Sequence, residues 1–122
     1  MCGICAVYGE NAYLVAKSIL TKINHRGQDG AGLFIYPAEN NLLIGPGLVN
    51  EVLKDNSNLD NTRIAVGQVR YPTQGEVIEE NIQPIVKTIN NVTYVVAHNG
   101  EIVGYKDLVK QELLSHSFVQ KN

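Results

Sequence analysis

Cys2-Gly3-Ile4-Cys5-Ala6-Val7-Tyr8 follows directly on Met1, and the reading of this stretch decides the fold. Small or apolar side chains occupy both alternating faces, the pattern of a β-strand covered on its two sides. Gly9-Glu10-Asn11 interrupts the pattern, and Asn11 is of the residue type favoured at a helix N-cap. Ala12, Val15, Ile19 and Ile23 then recur at helical intervals as far as Asn24-His25-Arg26-Gly27.

Further strands are expected in succession. Gly30-Ala31-Gly32 leads into a strand over 33–36, and Pro37 to Asn41 turns the chain into another over 42–44. Residues 47–53 suit a short helix and 55–61 a polar loop. A strand over 63–71 is stopped by Pro72, and a polar loop runs on through Asn81 to a strand over 82–86. Asn90-Asn91 is a hairpin signal joining it to a strand over 92–97. Leu108, Val109, Glu112 and Leu113 fall at helical spacing within 105–114. Antiparallel-style succession, with helices near the start and the end, favours an α+β layered domain over a parallel doubly wound sheet.

The 122 residues allow one domain over 1–122 with a limited core. With 44% apolar and 18% charged residues and no apolar run long enough to cross a bilayer, the composition is that of a soluble globular chain. Ten basic against twelve acidic residues give no reason to expect nucleic acid or a membrane surface as partner. Met1 is followed at once by strand-like sequence, without the basic and apolar regions of a signal peptide. Two cysteines and no disulfide framework point to a reducing, cytoplasmic setting.

Cys2 and Cys5 admit three readings. A redox C-x-x-C works at a strand-to-helix junction, where the helix N-terminus lowers a thiol pKa, whereas Cys2 heads a strand. A structural zinc needs about four ligands at set spacing; there is no second C-x-x-C, and His25, His98 and His116 are scattered. No metal and no cofactor is therefore expected. The third reading has better chemistry. Removal of Met1 would leave Cys2 with a free α-amino group of pKa about 7.7–8.0, well matched to a general base at neutral pH. Nucleophile and base would then share one residue. Cys5 reads as a small buried side chain.

Four blocks carry a resemblance: Cys2-Gly3-Ile4, then residues 25–32 (His25-Arg26-Gly27-Gln28-Asp29-Gly30-Ala31-Gly32), then Gly67-Gln68-Val69-Arg70-Tyr71-Pro72-Thr73, then Ala97-His98-Asn99-Gly100-Glu101. In this order and spacing they resemble the N-terminal glutaminase domain of class II glutamine amidotransferases, of the N-terminal nucleophile (Ntn) hydrolase superfamily. Within that class they look most like the amidophosphoribosyltransferase branch of purine biosynthesis, glycosyltransferases that use ammonia from glutamine. The resemblance implies an αββα sandwich, incomplete in this chain. It also implies that Asn99 and Gly100 form an oxyanion hole, two fixed donors aimed where charge develops. On pattern alone the same pair is a type I′ turn.

Arg70 closes a strand beside Ile64 and Val66, held at a strand-to-loop junction because Pro72 restricts Tyr71 to extended backbone. By resemblance its guanidinium takes the substrate's α-carboxylate, for which it is geometrically suited. Tyr71 and Thr73 would begin a loop closing over the substrate. Arg26 and Gly27 would wall the pocket; on pattern alone they are a basic last turn and a glycine C-cap. Gly30 and Gly32 suggest close backbone approach or positive φ.

The expectation is then that Cys2 attacks the side-chain amide of L-glutamine, releasing ammonia and, through a thioester, glutamate. The family's aspartate for the substrate α-amino group lies in a stretch expected past Asn122, so a synthase or remaining-domain polypeptide, or self-association, would complete the assembly. Gln68 stands where relatives often carry His, a departure read here as minor. The alternative is a catalytically inactive glutaminase-like module that senses glutamine or pairs with another chain.

Overall fold

The computed structural model describes residues 2–54, 59–71, 82–100 and 103–115, of which 105 and 113–115 by backbone alone. In chain order these form β1 (Gly3–Tyr8), α1 (Ala12–Lys22), a 3-10 turn (Asn24–Arg26), β2 (Gly30–Tyr36), β3 (Leu42–Pro46) and α2 (Val49–Val52). There follow β4 (Ile64–Arg70), β5 (Ile85–Ile89), β6 (Val92–Val96) and α3 (Tyr105–Ser115). Four strands make an antiparallel sheet in the order β1-β4-β2-β3, and β5 with β6 makes a separate hairpin.

The helices α1 and α2 cover one face of the four-stranded sheet, α1 across β1 and β4, α2 across β2 and β3. From the strands, Cys5, Ala31, Leu33, Ile35, Ala65 and Val69 point into this layer and meet Tyr13, Ala16 and Leu20 of α1. Leu20 has no exposed surface, so its burial contributes about 1.5–3 kcal/mol. The hairpin lies toward the opposite face. The layers run helix, sheet, sheet, with α3 following the hairpin and its described side chains exposed. Among the described residues no helix is long and apolar enough to cross a membrane.

Several expectations change once the layers are in place. The first strand is covered on one side, with Gly3 and Cys5 buried and Ile4, Ala6 and Tyr8 exposed. It is an edge strand whose second face looks into an open cleft. The buried stripe of α1 is Ala12, Tyr13, Ala16 and Leu20, while Val15 is exposed. Ile19 and Ile23 pack partly buried against this core, so of the helically spaced residues only Val15 faces away. Asn11 does not cap α1: its φ is +55° and its side chain makes no cap bond. Thr62 does so from 49 residues away, its Oγ accepting from the Tyr13 N–H at 2.8 Å and its carbonyl from Ala12 N–H at 3.0 Å. The strand expected over 82–86 begins at Ile85; Ile82 and Pro84 are buried outside it.

Other elements stand as read. Asn90 and Asn91 both have positive φ, +51° and +65°, the signature of a type I′ turn, and Thr88 and Thr93 hydrogen bond across the hairpin at 2.9 Å. The second strand gains Gly30 to Gly32 and runs buried through Ile35, as a central strand between two neighbours must. The polar loops expected over 55–61 and from Pro72 to Asn81 lie largely outside the described residues.

Candidate active site around Cys2

Cys2 sits one residue ahead of β1. Continuing the register in which Gly3 opposes Val69 places it across from Arg70, the last residue of β4. Three segments remote in sequence hold it there. Its backbone nitrogen donates to Asn99 Oδ1 at 3.3 Å, its thiol donates to the Tyr71 carbonyl at 3.7 Å, and its own carbonyl accepts from Arg26 Nε at 3.1 Å. With Met1 attached the Cys2 nitrogen is a peptide N–H, so it stands in for the α-amine that removal of Met1 would create. A carboxamide that gives its oxygen to this nitrogen keeps its NH2 as the end able to donate elsewhere.

Arg70 is half-buried, and among the described residues its Nε has no hydrogen-bond partner although solvent does not reach it. A desolvated guanidinium nitrogen without a partner is costly, and a carboxylate is the group whose geometry answers it. The backbone around it is firmly placed: Arg70 pairs with Gly30 of β2, and its carbonyl accepts from Asp29 N–H at 3.1 Å.

The turn after α1 explains Gly27. The helix ends at Lys22, a 3-10 turn takes Asn24 to Arg26, and Gly27 follows with φ −164°, extended backbone and no left-handed cap. The C-cap expectation is thus replaced by a steric one. A Cβ on Gly27 would lie 2.6 Å from the Arg70 carbonyl carbon, and backbone cannot yield. Glycine at 27 lets the turn press against β4, which brings Arg26 to Cys2. Asn24 fastens the turn, donating to the Gly27 carbonyl at 2.9 Å and accepting from Val49 N–H at 3.1 Å.

Of the residues expected to form the site, Cys2, Arg26, Tyr71 and Asn99 meet through direct hydrogen bonds, and Gly27 and Arg70 through backbone packing. Gly100 follows Asn99 with φ +147°. Asn99 has no positive φ, so the pair is not a type I′ turn. Thr73 lies outside the described residues. Gln68, a minor departure by sequence, is fully buried. The signal was available: a lone amide within the apolar run of β4, Ile64 to Val69, must find partners.

Among the described residues the two cysteines are not arranged for redox pairing or metal binding. Both thiols are free, Cys2 half-buried and Cys5 buried. Three positions apart on extended backbone, the two point to opposite sides. Burial pushes the Cys5 thiol from 9.0 up to about 11, partly offset by a backbone hydrogen bond from Gly67, so it is no nucleophile near neutrality. Among the described residues no three His, Cys, Asp or Glu side chains are grouped to hold a metal. A cavity of about 430 Å³ opens between the sheets, lined by residues that include Ile4, Ala6, Val66, Val95 and Val96. Among the described residues its lining carries no charge to orient a polar amide, so the candidate site is placed by the polar groups around Cys2 and not by this concavity.

Residues 27–118 match the family described as glutamine amidotransferases class-II. Amidophosphoribosyltransferase 1, chloroplastic, of Arabidopsis thaliana is 39% identical over 112 residues, 88% of this chain and 20% of that protein. The amidophosphoribosyltransferase of Methanocaldococcus jannaschii is 38% identical over 125 residues, 97% of this chain and 26% of that protein. Among solved structures, one titled as the allosteric regulatory enzyme of purine biosynthesis superposes with TM-score 0.76 at 32% identity, over 98% of this chain and 26% of the other. Glutamine phosphoribosylpyrophosphate amidotransferase from B. subtilis, complexed with ADP and GMP, superposes with TM-score 0.74 at the same identity and coverage. The chain thus spans about a fifth to a quarter of the length of these relatives.

Proposed function

This chain belongs to the class II glutamine amidotransferases, and on that footing we propose that it hydrolyses L-glutamine through a thioester on Cys2. With Met1 removed, the α-amine of Cys2 takes the thiol proton and the sulfur attacks the side-chain carboxamide carbon. The resulting oxyanion receives hydrogen bonds from Asn99 Nδ2 and the Gly100 N–H. Collapse breaks the C–N bond, and the proton held by the amine leaves with the nitrogen as ammonia. Water then cleaves the thioester to glutamate and restores the thiol.

The observation that carries this reading is the hydrogen bond of the Cys2 nitrogen to Asn99 Oδ1. In this reading it ties the α-amine base to the carboxamide that supplies an oxyanion donor. Arg70, whose Nε has no partner among the described residues, takes the substrate α-carboxylate. Arg26 and Gly27 fix the Cys2 backbone, and Tyr71 and Thr73 begin the cover over the bound substrate. By likeness to the amidophosphoribosyltransferases and the two solved structures, the ammonia passes to a synthase unit acting on phosphoribosyl pyrophosphate in purine synthesis. A reducing compartment such as the cytoplasm suits a chemistry that needs a free thiol.

The test is glutamate release from glutamine by the processed protein and its Cys2→Ala variant, with intact mass recording the state of the N-terminus. Turnover should require loss of Met1 and vanish in Cys2→Ala. Retained hydrolysis in that variant, or equal activity with Met1 in place, would overturn the mechanism.

A further inference from the structure

Gln68 and Gln83 together grip the backbone of His98, the residue ahead of Asn99. Gln68 Nε2 donates to the His98 carbonyl at 2.8 Å, and the His98 N–H donates to Gln83 Oε1 at 2.6 Å. The Gln83 N–H in turn donates to Gln68 Oε1 at 3.3 Å. Each end of the Gln68 carboxamide meets a backbone group of fixed polarity, so its orientation is determined and both ends are used. Gln68 has no exposed surface; an amide in the middle of a sheet costs stability unless it is satisfied.

These bonds join separate parts of the fold. Gln68 belongs to β4 and shares the helix-free face of the sheet with Arg70, two residues on. Gln83 leads into β5, and His98 follows β6. Gly32, opposite Gln68 in the register, makes room: a Cβ there would collide with the Gln83 carbonyl oxygen. The close approach of segment 82–84 to the sheet is what brings Gln83 within reach of His98.

We propose that Gln68 and Gln83 are positioning residues that set the location of Asn99 and Gly100 relative to Cys2. The proposal rests on the glutaminase reading above and deepens it. The hairpin carries the oxyanion donors, whereas Cys2 is aligned by the four-stranded sheet through β1. Without a tie, the distance between donors and nucleophile would follow every movement of one sheet against the other. The paired amides make His98 part of the β4 framework.

Gln68→Met and Gln83→Met, in the processed protein, keep side-chain length and remove the grip. Either should lower kcat for glutamine hydrolysis roughly 10–100-fold, as misplacement of transition-state donors does. KM should stay within about threefold, because such donors act in the transition state alone. Cys2 alkylation by iodoacetamide, which needs no oxyanion hole, should stay within about twofold, and amide exchange at 98–100 should accelerate about tenfold or more. Turnover within twofold of wild type, alkylation falling together with kcat, or unchanged exchange would overturn the proposal. Gln83 is half-buried, so its variant decides should Gln68→Met fail to fold. Wild-type protein that hydrolyses no glutamine would refute the glutaminase reading instead, and the exchange comparison would still decide the grip.

Discussion

Asn99 gives its oxygen to the nitrogen of Cys2, and in the proposed mechanism its amide nitrogen serves a developing oxyanion. Replacing it by alanine should therefore lower kcat about 10²–10³-fold, equivalent to about 2.7–4 kcal/mol, with a small change in KM. Asn99→Asp separates the two ends, because it preserves an acceptor for the amine and abolishes the donor. Steady-state kinetics should show comparable losses in both variants; wild-type turnover in Asn99→Asp would remove the donor role. Cys5 offers a different test. Its folded-state pKa is raised from 9.0 to about 11 by burial, so below pH 9 its thiol is neutral in both states and the fold keeps its full stability. Between pH 9 and 11 the unfolded chain releases this proton while the folded chain retains it, so stability falls as pH rises. The difference in urea midpoint between wild type and Cys5→Ala should shrink over that window; a constant difference would contradict the assigned burial.

Helix starts in this molecule are completed from a distance. α1 begins at Ala12 behind an Asn11 that bends left-handed, and Thr62 satisfies its first donors while giving its own hydroxyl proton to the Leu59 carbonyl at 2.9 Å. α2 begins with Val49 N–H held by Asn24, and Glu51 reaches back to the Leu48 N–H at 3.0 Å. Thr62→Val should cost about 1–2 kcal/mol, since it strips a buried helix N–H of its acceptor. Asn11→Gly should change stability by under about 0.5 kcal/mol, because glycine accepts positive φ freely. Urea denaturation of both variants checks the ranking, and a larger loss at Asn11 would restore the local cap. The two cases show why sequence placed the helices correctly and their caps wrongly: apolar spacing is a property of neighbours, whereas Thr62 acts on Tyr13 across 49 positions.

At the scale of the whole molecule, the four-stranded sheet with its two helices is one packed unit and the β5–β6 hairpin is a second, lighter one. Val92, Tyr94 and Val96 of the hairpin are all more than half exposed, and the hairpin has no extensive packing with the main sheet among the described residues. Sections with few buried apolar contacts open at lower free energy. Native-state hydrogen exchange should find β5 and β6 amides at least about tenfold faster than those of β4; equal protection would mean that the two sheets form one cooperative block. The proposed site spans this division, with Cys2 aligned by the four-stranded sheet and Asn99 and Gly100 beyond the hairpin. The membership in class II glutamine amidotransferases rests on the match over residues 27–118.

By itself the sequence determined what short-range physics controls. Strand and helix types followed from side-chain period and the Asn90-Asn91 turn from residues that tolerate positive φ, while a cysteine next to a removable methionine made Cys2 the candidate nucleophile. The ordered motif blocks also marked Arg26, Arg70 and Asn99 as a set. Tertiary structure alone decided that β1 is covered on one face, that Thr62 and not Asn11 caps α1, that Gly27 is required by the backbone of Arg70, and that Gln68 is a buried tie. Each of these depends on a close approach or a hydrogen bond between residues distant in the chain, up to 97 positions apart for Cys2 and Asn99. Such contacts exist only once the layers have packed, so no local pattern encodes them.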